Sequence, residues 1–327
     1  MWLLKNRAST VMFIFLKSLK NIKGKFLIPV NVCPIVPITF MKANVDFEFV
    51  DICQITLCID LNKAGKRIKE DANIIGILFV HTYGIEDDYY NEFIKLKSLR
   101  NSLYIIDDRC LCKPNLNNAI LNHVDLTLYS TGYSKYVDMG YGGYGLLRDN
   151  MGDSYLQYYE IFSEKDLLEI EEQYKKSISQ TQMYRYDNSL RWLDFNDPVI
   201  SLEKYKNMIL NKIKIVNEHK QRINNIYYES LPKSIQYDEK YNNWRFNIKV
   251  KNKDVLIGKI FSEKLFASDH YYPLNNIMDN SSDVCYPNVQ EIYDKTVNLF
   301  NDYHVTEEMV KKTCEIINKH CEEQMVP

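Results

Sequence analysis

Ser130, Lys135, Gly140, Gly142 and Gly143 stand in one string, S-TGYS-K-YVDM-G-Y-GG, that begins where the apolar run Val124 to Tyr129 ends. The string places a single lysine between a hydroxyl at a strand end and a glycine turn whose backbone permits close approach. A buried ε-amine in that setting loses its proton through desolvation and becomes a nucleophile toward an aldehyde. Taken alone, the same residues also read as a solvated turn. The glycines spell G-Y-G-G-Y-G from Gly140 to Gly145 and so match a dinucleotide-binding pattern. That motif needs a helix opening on it to hold a pyrophosphate. Tyr144 to Arg148 reads instead as a further strand, which argues against it.

The elements that must position this lysine are legible as short apolar runs: Phe26 to Val30, Phe47 to Ile52, Ile74 to Val80, Leu103 to Ile106, Leu126 to Tyr129 and Tyr144 to Leu147. Runs that are apolar at every position predict strands covered on both faces, hence an α/β fold with a mostly parallel sheet wrapped by helices. Tyr89, Phe93 and Leu96 have the spacing of a crossover helix. Ser9 or Thr10 reads as the N-cap of a buried helix ending near Lys20. After about residue 190 the texture changes to a long polar helix, Leu202 to Tyr228, then strand-like Asn243 to Val250. A last helix, Thr306 to Lys319, gathers Met309, Thr313, Ile316 and Ile317 on one face. The expected division is a large α/β domain over 1–190 and a smaller α+β domain over 191–327.

With 327 residues, 46% of them hydrophobic, the chain is long enough for two domains with sizeable cores. Its 41 basic and 43 acidic side chains give no electrostatic footprint for nucleic acid or an anionic membrane, so a small substrate is expected. The eight cysteines have no C-x-x-C spacing. That usage predicts no metal site and no disulfide framework, and a reducing cytoplasmic setting. Val11 to Leu16, behind Lys5 and Arg7, is too short for a signal peptide and lacks a cleavage site. No stretch approaches the roughly 20 apolar residues of a membrane span. Most of the 25 tyrosines read as packing residues.

In an open α/β sheet ligands sit beyond the carboxyl ends of the strands, which selects the residues directly after each apolar run. These are His81, Thr82, Tyr83 and Gly84, then Asp107 and Asp108, then Ser130 and Lys135. A carboxylate, a lysine and a hydroxyl thus converge on one crevice. Pyridoxal 5'-phosphate needs that set: a lysine for its aldehyde, an acid for its pyridine nitrogen, and donors at a helix N-terminus for its phosphate. Each residue also has a plainer reading, with Asp107 and Asp108 as turn or cap residues, Ser9 as an N-cap and His81 as a core histidine.

The chain resembles the nucleotide-sugar aminotransferases of the DegT/StrS type, which are fold-type I pyridoxal phosphate enzymes. The family pattern of serine, four residues, lysine, four residues and G-x-G-G is met without a gap by Ser130, Lys135, Gly140, Gly142 and Gly143. Phe47 to Ile52 resembles the family strand ending in an aspartate, here Asp51. Val80-His81-Thr82-Tyr83-Gly84 is similar to its V-H-x-Y-G turn, and Ile105 to Asp108 to its acidic pair. His270-Tyr271-Tyr272-Pro273-Leu274 and Tyr286-Pro287-Asn288 are similar to its small-domain signatures.

The resemblance implies that Lys135 carries the cofactor and moves the proton at the donor α-carbon, and that Asp108, not Asp107, pairs with the pyridine nitrogen. It implies that Ser130 binds the phosphate from one side and Ala8 and Ser9, at the family's G-T position, from the other. Leu111 stands where the family stacks a histidine or glutamine on the cofactor ring, and Tyr141 replaces the acid of G-E-G-G. The family's N-x-R element, which reaches a neighbouring subunit's site, is represented by Ser189-Leu190-Arg191, so Asn188 or Arg191 must serve. The chain begins at about the phosphate-binding helix, where the family has a preceding segment. The implied protein is a cytoplasmic homodimer with a shared site, moving an amino group from glutamate to a keto sugar linked to a nucleotide for polysaccharide or glycoconjugate synthesis. Two alternatives stay open at this point. A related sugar dehydratase would carry histidine in place of Lys135, and a non-catalytic binding module would lack the yellow colour of a lysine-bound cofactor.

Overall fold

The computed structural model describes residues 1–19, 23–117, 120, 122–148, 160–279 and 284–324. Its main sheet has seven strands: β1 (Trp2–Lys5), β2 (Lys25–Pro29), β3 (Asp46–Val50), β4 (Ile74–Val80), β5 (Tyr104–Asp108), β6 (Leu126–Ser130) and β7 (Gly143–Leu147). They lie in the order β1-β7-β6-β5-β4-β2-β3. Only β7 runs against its neighbours, pairing antiparallel with both β1 and β6. This is the mostly parallel α/β sheet expected from the unalternating apolar runs. β1 has no counterpart in the sequence reading, because four residues beside two basic side chains show no periodicity of their own.

Both faces of the sheet are covered, and strand alternation divides β4 between two cores. Leu78 and Val80 pack with Phe15 of α1 (Ala8–Ser18) and Phe40 of α2 (Ile35–Ala43). Ile77 and Phe79 pack with Ile68 of α3 (Leu61–Glu70) and Phe93 of α4 (Tyr90–Leu99). α5 (Glu164–Gln180) adds Leu167 and Ile170 to the first core. The apolar hexamer Val11 to Leu16 is buried in α1.

The long helix is α6 (Leu202–Ser230). A second sheet follows, β8 (Phe246–Lys249), β9 (Ala267–Ser268) and β10 (Thr296–Leu299), in the antiparallel order β8-β10-β9. α7 (Lys253–Ser262) and α10 (Glu307–Glu323) close its core with Leu256, Ile260, Val310 and Ile317. Thr306 caps α10, accepting from Met309 N. Between β9 and β10 the chain returns to the main sheet through α8 (Asn275–Met278) and α9 (Pro287–Lys295), burying Ile277 and Val289 in its first core. Asp51, at the end of β3, receives Asn288 N and Val289 N at 3.3 and 3.1 Å, satisfying free amides of α9. This gives a physical reason for an aspartate after β3 and for Tyr286-Pro287-Asn288 at the start of α9.

Two local expectations are corrected. The helix read from Ser9 or Thr10 begins at Ala8, with Arg7 as an N-cap that makes no side-chain cap. Its last helical residue is Ser18, and Lys20 lies outside the described residues. The run Leu103 to Ile106 becomes a strand that continues through both aspartates. Among the described residues no helix is long and apolar enough to cross a membrane.

Candidate active site

The segment between β6 and β7 carries the lysine, and its own hydrogen bonds fix its shape. Ser130 pairs with Gly143 across the two strands. Thr131 closes the base of the turn, its N donating to Gly142 O at 2.9 Å and its hydroxyl to Tyr141 O at 2.7 Å. Asp138 holds the turn from inside by accepting from Ser134 N (2.9 Å) and Gly140 N (2.8 Å). Gly140 and Gly142 have φ of +76° and +98°, a region that L side chains rarely adopt. At Gly143 a Cβ would collide with the backbone of Arg7 and Ala8, so this glycine lets the turn close on the start of α1.

Lys135 opens into a cavity of about 430 Å³ that Asp108, Ser130, Leu111, Ala8 and Ser9 also line. Six of the seven expected site residues therefore meet in one place. Lys135 is half-buried there, whereas the sequence predicts a fully buried amine. The seventh, Arg191, lies outside the lining; it is exposed, with its Nε 3.8 Å from Asp166 and its backbone N donating to the same carboxylate.

Strand alternation separates the two aspartates of β5. Asp108 faces the cavity, 4% exposed, and accepts from Cys110 N at 2.9 Å. Burial pushes its carboxyl up, and the Cys110 hydrogen bonds and the nearby Lys135 cation oppose this without cancelling it. Asp107 points the other way, fully buried, with one oxygen 2.7 Å from His81 Nε2 and the other 2.7 Å from Arg109 Nε. Burial pushes Asp107 up as well, but His81 and Arg109 outweigh it and hold the carboxyl below its usual range. His81 is buried, its Nδ1 2.7 Å from Ile85 O. It stands behind the cavity wall and not in it.

The start of α1 completes the opposite wall. Asn6, Arg7, Ala8 and Ser9 line the cavity, and the first amides of α1 take no side-chain cap from Arg7. An uncapped eleven-residue helix start beside a serine hydroxyl is suited to an anion such as phosphate. Leu111, 4% exposed, supplies an apolar wall.

Sequence reasoning missed several lining residues: Cys33, Glu171, Tyr174 and Asp194 arrive from distant segments with no motif of their own. Tyr271 was inside a quoted signature but had no role. Its ring is stacked 6.1 Å from Trp244 and 6.4 Å from Tyr83, and it forms the cavity wall on the side of the second sheet.

The donor set fits pyridoxal phosphate on two structural grounds. A buried carboxylate with a raised proton affinity calls for a cation beside it, and a protonated ring nitrogen is one. The uncapped start of α1 and Ser130 offer donors to a phosphate.

Comparison with known proteins agrees with this donor set. The sequence profile of the DegT/DnrJ/EryC1/StrS aminotransferase family matches residues 39–318. No curated protein matches the chain in sequence. Among solved structures, the sugar aminotransferase CalS13 from Micromonospora echinospora is 16% identical with a TM-score of 0.71, covering 97% of this chain and 87% of its own. PseC from Helicobacter pylori, an aminotransferase involved in the biosynthesis of pseudoaminic acid, is 13% identical with a TM-score of 0.71, covering 98% and 87%. The aminotransferase TlmJ from Streptoalloteichus hindustanus is 12% identical with a TM-score of 0.71, covering 99% and 87%. At these identities the likeness establishes the fold.

Proposed function

The chain belongs to the DegT/DnrJ/EryC1/StrS aminotransferase family, a class of pyridoxal-phosphate-dependent enzymes, and from that premise we propose that it moves an amino group from glutamate to the keto group of a nucleotide-linked sugar. The product would serve a polysaccharide or another glycoconjugate. The observation that carries this reading is the meeting of Lys135, Asp108, Ser130 and the start of α1 around one cavity. The solved neighbours CalS13 and PseC, one a sugar aminotransferase and the other an enzyme of pseudoaminic acid biosynthesis, support a sugar acceptor.

Pyridoxal phosphate supplies, when bound, an aldehyde and an electron-accepting ring. In this proposal the Lys135 amine holds the cofactor and carries the proton at the donor's reacting carbon. Asp108 holds the ring nitrogen in its cationic form. Ser130 and the amides of Ala8 and Ser9 take the phosphate, and Leu111 packs an apolar contact on the ring. Arg191 serves the site of a second subunit in a twofold homodimer, which fits its exposure and its place outside this chain's cavity. The large domain is taken as 1–190, the smaller one as 191–327, and the setting as the cytoplasm.

The test is amination of a panel of nucleotide-linked keto sugars with glutamate as donor, read by chromatography of the amino product. Amination of free keto sugars or of keto acids, with none of the nucleotide-linked panel accepted, overturns the acceptor assignment.

A further inference from the structure

Arg245 precedes β8 and is 5% exposed, yet among the described residues no carboxylate lies within 4.0 Å of its guanidinium. A buried cation without an acid is costly, and proteins usually supply a partner. Burial lowers its proton affinity to a pKa of about 10. Its geometry is that of a held fork. The guanidinium carbon lies 4.3 Å from the centre of the Trp244 ring and 3.8 Å from that of Phe300, which fixes the group by cation–π contact. One N–H donates to Ser268 Oγ at 2.5 Å. The remaining guanidinium nitrogens make no hydrogen bond to the described residues and are not sealed from solvent.

Arg245 stands outside the cavity lining, and its neighbours link it to the cavity wall. Trp244 stacks with Tyr271, a cavity wall residue, and its Nε1 donates to Ser134 O at 2.6 Å, one residue before Lys135. His270 adjoins Ser268, its Nδ1 3.1 Å from Ser268 Oγ. Burial and the Arg245 cation, with Lys135 contributing, hold the His270 imidazole down to about 4, so at neutral pH the positive charge of this cluster belongs to Arg245. The acid that acts on Arg245 is Asp302, which forms no ion pair with it, and Asp269, beside His270, is engaged by Tyr293 OH at 2.9 Å and faces Lys253 at 3.6 Å.

We infer that Arg245, with Ser268 beside it, is the binding site for a carboxylate of the amino-acid donor. The inference rests on the aminotransferase reading and extends it to the donor half of the reaction. A planar guanidinium presenting unused N–H groups matches the two oxygens of a carboxylate. A donor whose nitrogen reacts at the lysine must also place its carboxylate within a few bonds of it, and this fork is linked to the lysine turn through Trp244. A phosphate of the acceptor's nucleotide would use the same donors, so the experiment separates the two sources.

The test uses the cofactor-loaded enzyme without sugar and follows loss of its yellow absorbance. L-glutamate is compared with n-butylamine, an amine with no carboxylate, and UDP and dTDP binding is measured by calorimetry. Arg245→Met should raise the glutamate concentration for half-effect by about 10- to 150-fold, the range for losing a charged hydrogen-bonding partner. Arg245→Lys should recover part of it. The butylamine reaction and nucleotide affinity should not change. An unchanged glutamate response overturns the inference, as does an equal loss with both amines, which marks a structural role. A loss confined to UDP or dTDP assigns the fork to the acceptor's phosphates. If the unaltered enzyme shows no absorbance change with any amino acid, the aminotransferase reading itself fails.

Discussion

The two neighbouring aspartates of β5 should respond in opposite senses to the same substitution. Asp107→Asn removes the acid from a buried network and leaves Arg109 and His81 facing a neutral amide. Breaking a buried pair by removing one partner costs about 3 to 5 kcal/mol, and the partial exposure of Arg109 puts this case near 3. Asp108→Asn removes a carboxylate whose ionised form burial disfavours in the cofactor-free protein, so that protein should gain stability. In catalysis the order reverses. On the role proposed for Asp108, loss of its charge, at about 3 to 5 kcal/mol, should slow turnover roughly two-hundredfold to five-thousandfold, whereas Asp107→Asn should have little effect on the rate of molecules that remain folded. The pH dependence follows from the signs. Asp107, with its lowered proton affinity, contributes stability above about pH 4 that is lost as pH falls through its folded value. Asp108, with its raised affinity, imposes its cost only above about pH 4. Both differences from the unaltered protein should therefore shrink on acidification. Urea unfolding of the cofactor-free proteins at pH 4 and pH 7, with turnover at pH 7, measures all of this. A more stable Asp107→Asn, or a destabilised Asp108→Asn with normal turnover, would refute the opposed facing of the two side chains.

Borohydride reduction of the yellow enzyme should fix the cofactor on the peptide containing Lys135, and Lys135→Ala should abolish transamination; labelling of another lysine sinks the assignment. Mixing inactive Lys135→Ala and Arg191→Ala chains should restore activity in hybrid dimers, where one composite site keeps both residues, and verified hybrids without activity exclude a shared site. Asp51→Ala should lower stability by about 2 to 3 kcal/mol by freeing the amides of α9 and the Lys63 ion pair, read as a shifted urea midpoint with an unchanged slope. An unshifted midpoint would show that α9 does not depend on this cap.

The strands were readable because a sheet covered on both faces writes its burial into every position, as Ile74 to Val80 does. The direction of β7 was not, since Gly143 to Leu147 has the same composition whichever way it runs. The lysine turn was readable because its glycines are required by positive φ and close approach, constraints that act within a few residues. The start of α1 was misplaced for a reason tied to the site: its first amides face the cavity instead of a Ser or Thr cap, so the usual sequence signal is missing. Glu171 and Asp194 were invisible because only tertiary packing brings them to the lysine. The partner of Asp107 is His81, 26 residues earlier, a pairing that strand register makes and composition does not.

The turn that bears Lys135 is anchored from outside by residues synthesised much later. Thr131 Oγ1 meets Tyr205 OH at 2.6 Å, Lys212 Nζ donates to Asp138 O at 2.8 Å, and Trp244 Nε1 donates to Ser134 O at 2.6 Å. A chain emerging from its N-terminus thus presents the lysine before any of these clamps exists. Capture of the cofactor in its native geometry becomes a late event in biogenesis, following the docking of α6 and the segment before β8. After incubation with pyridoxal phosphate and removal of the unbound cofactor, nascent chains arrested before Tyr205 should be colourless, and chains released after Trp244 has docked should be the first to retain a yellow colour.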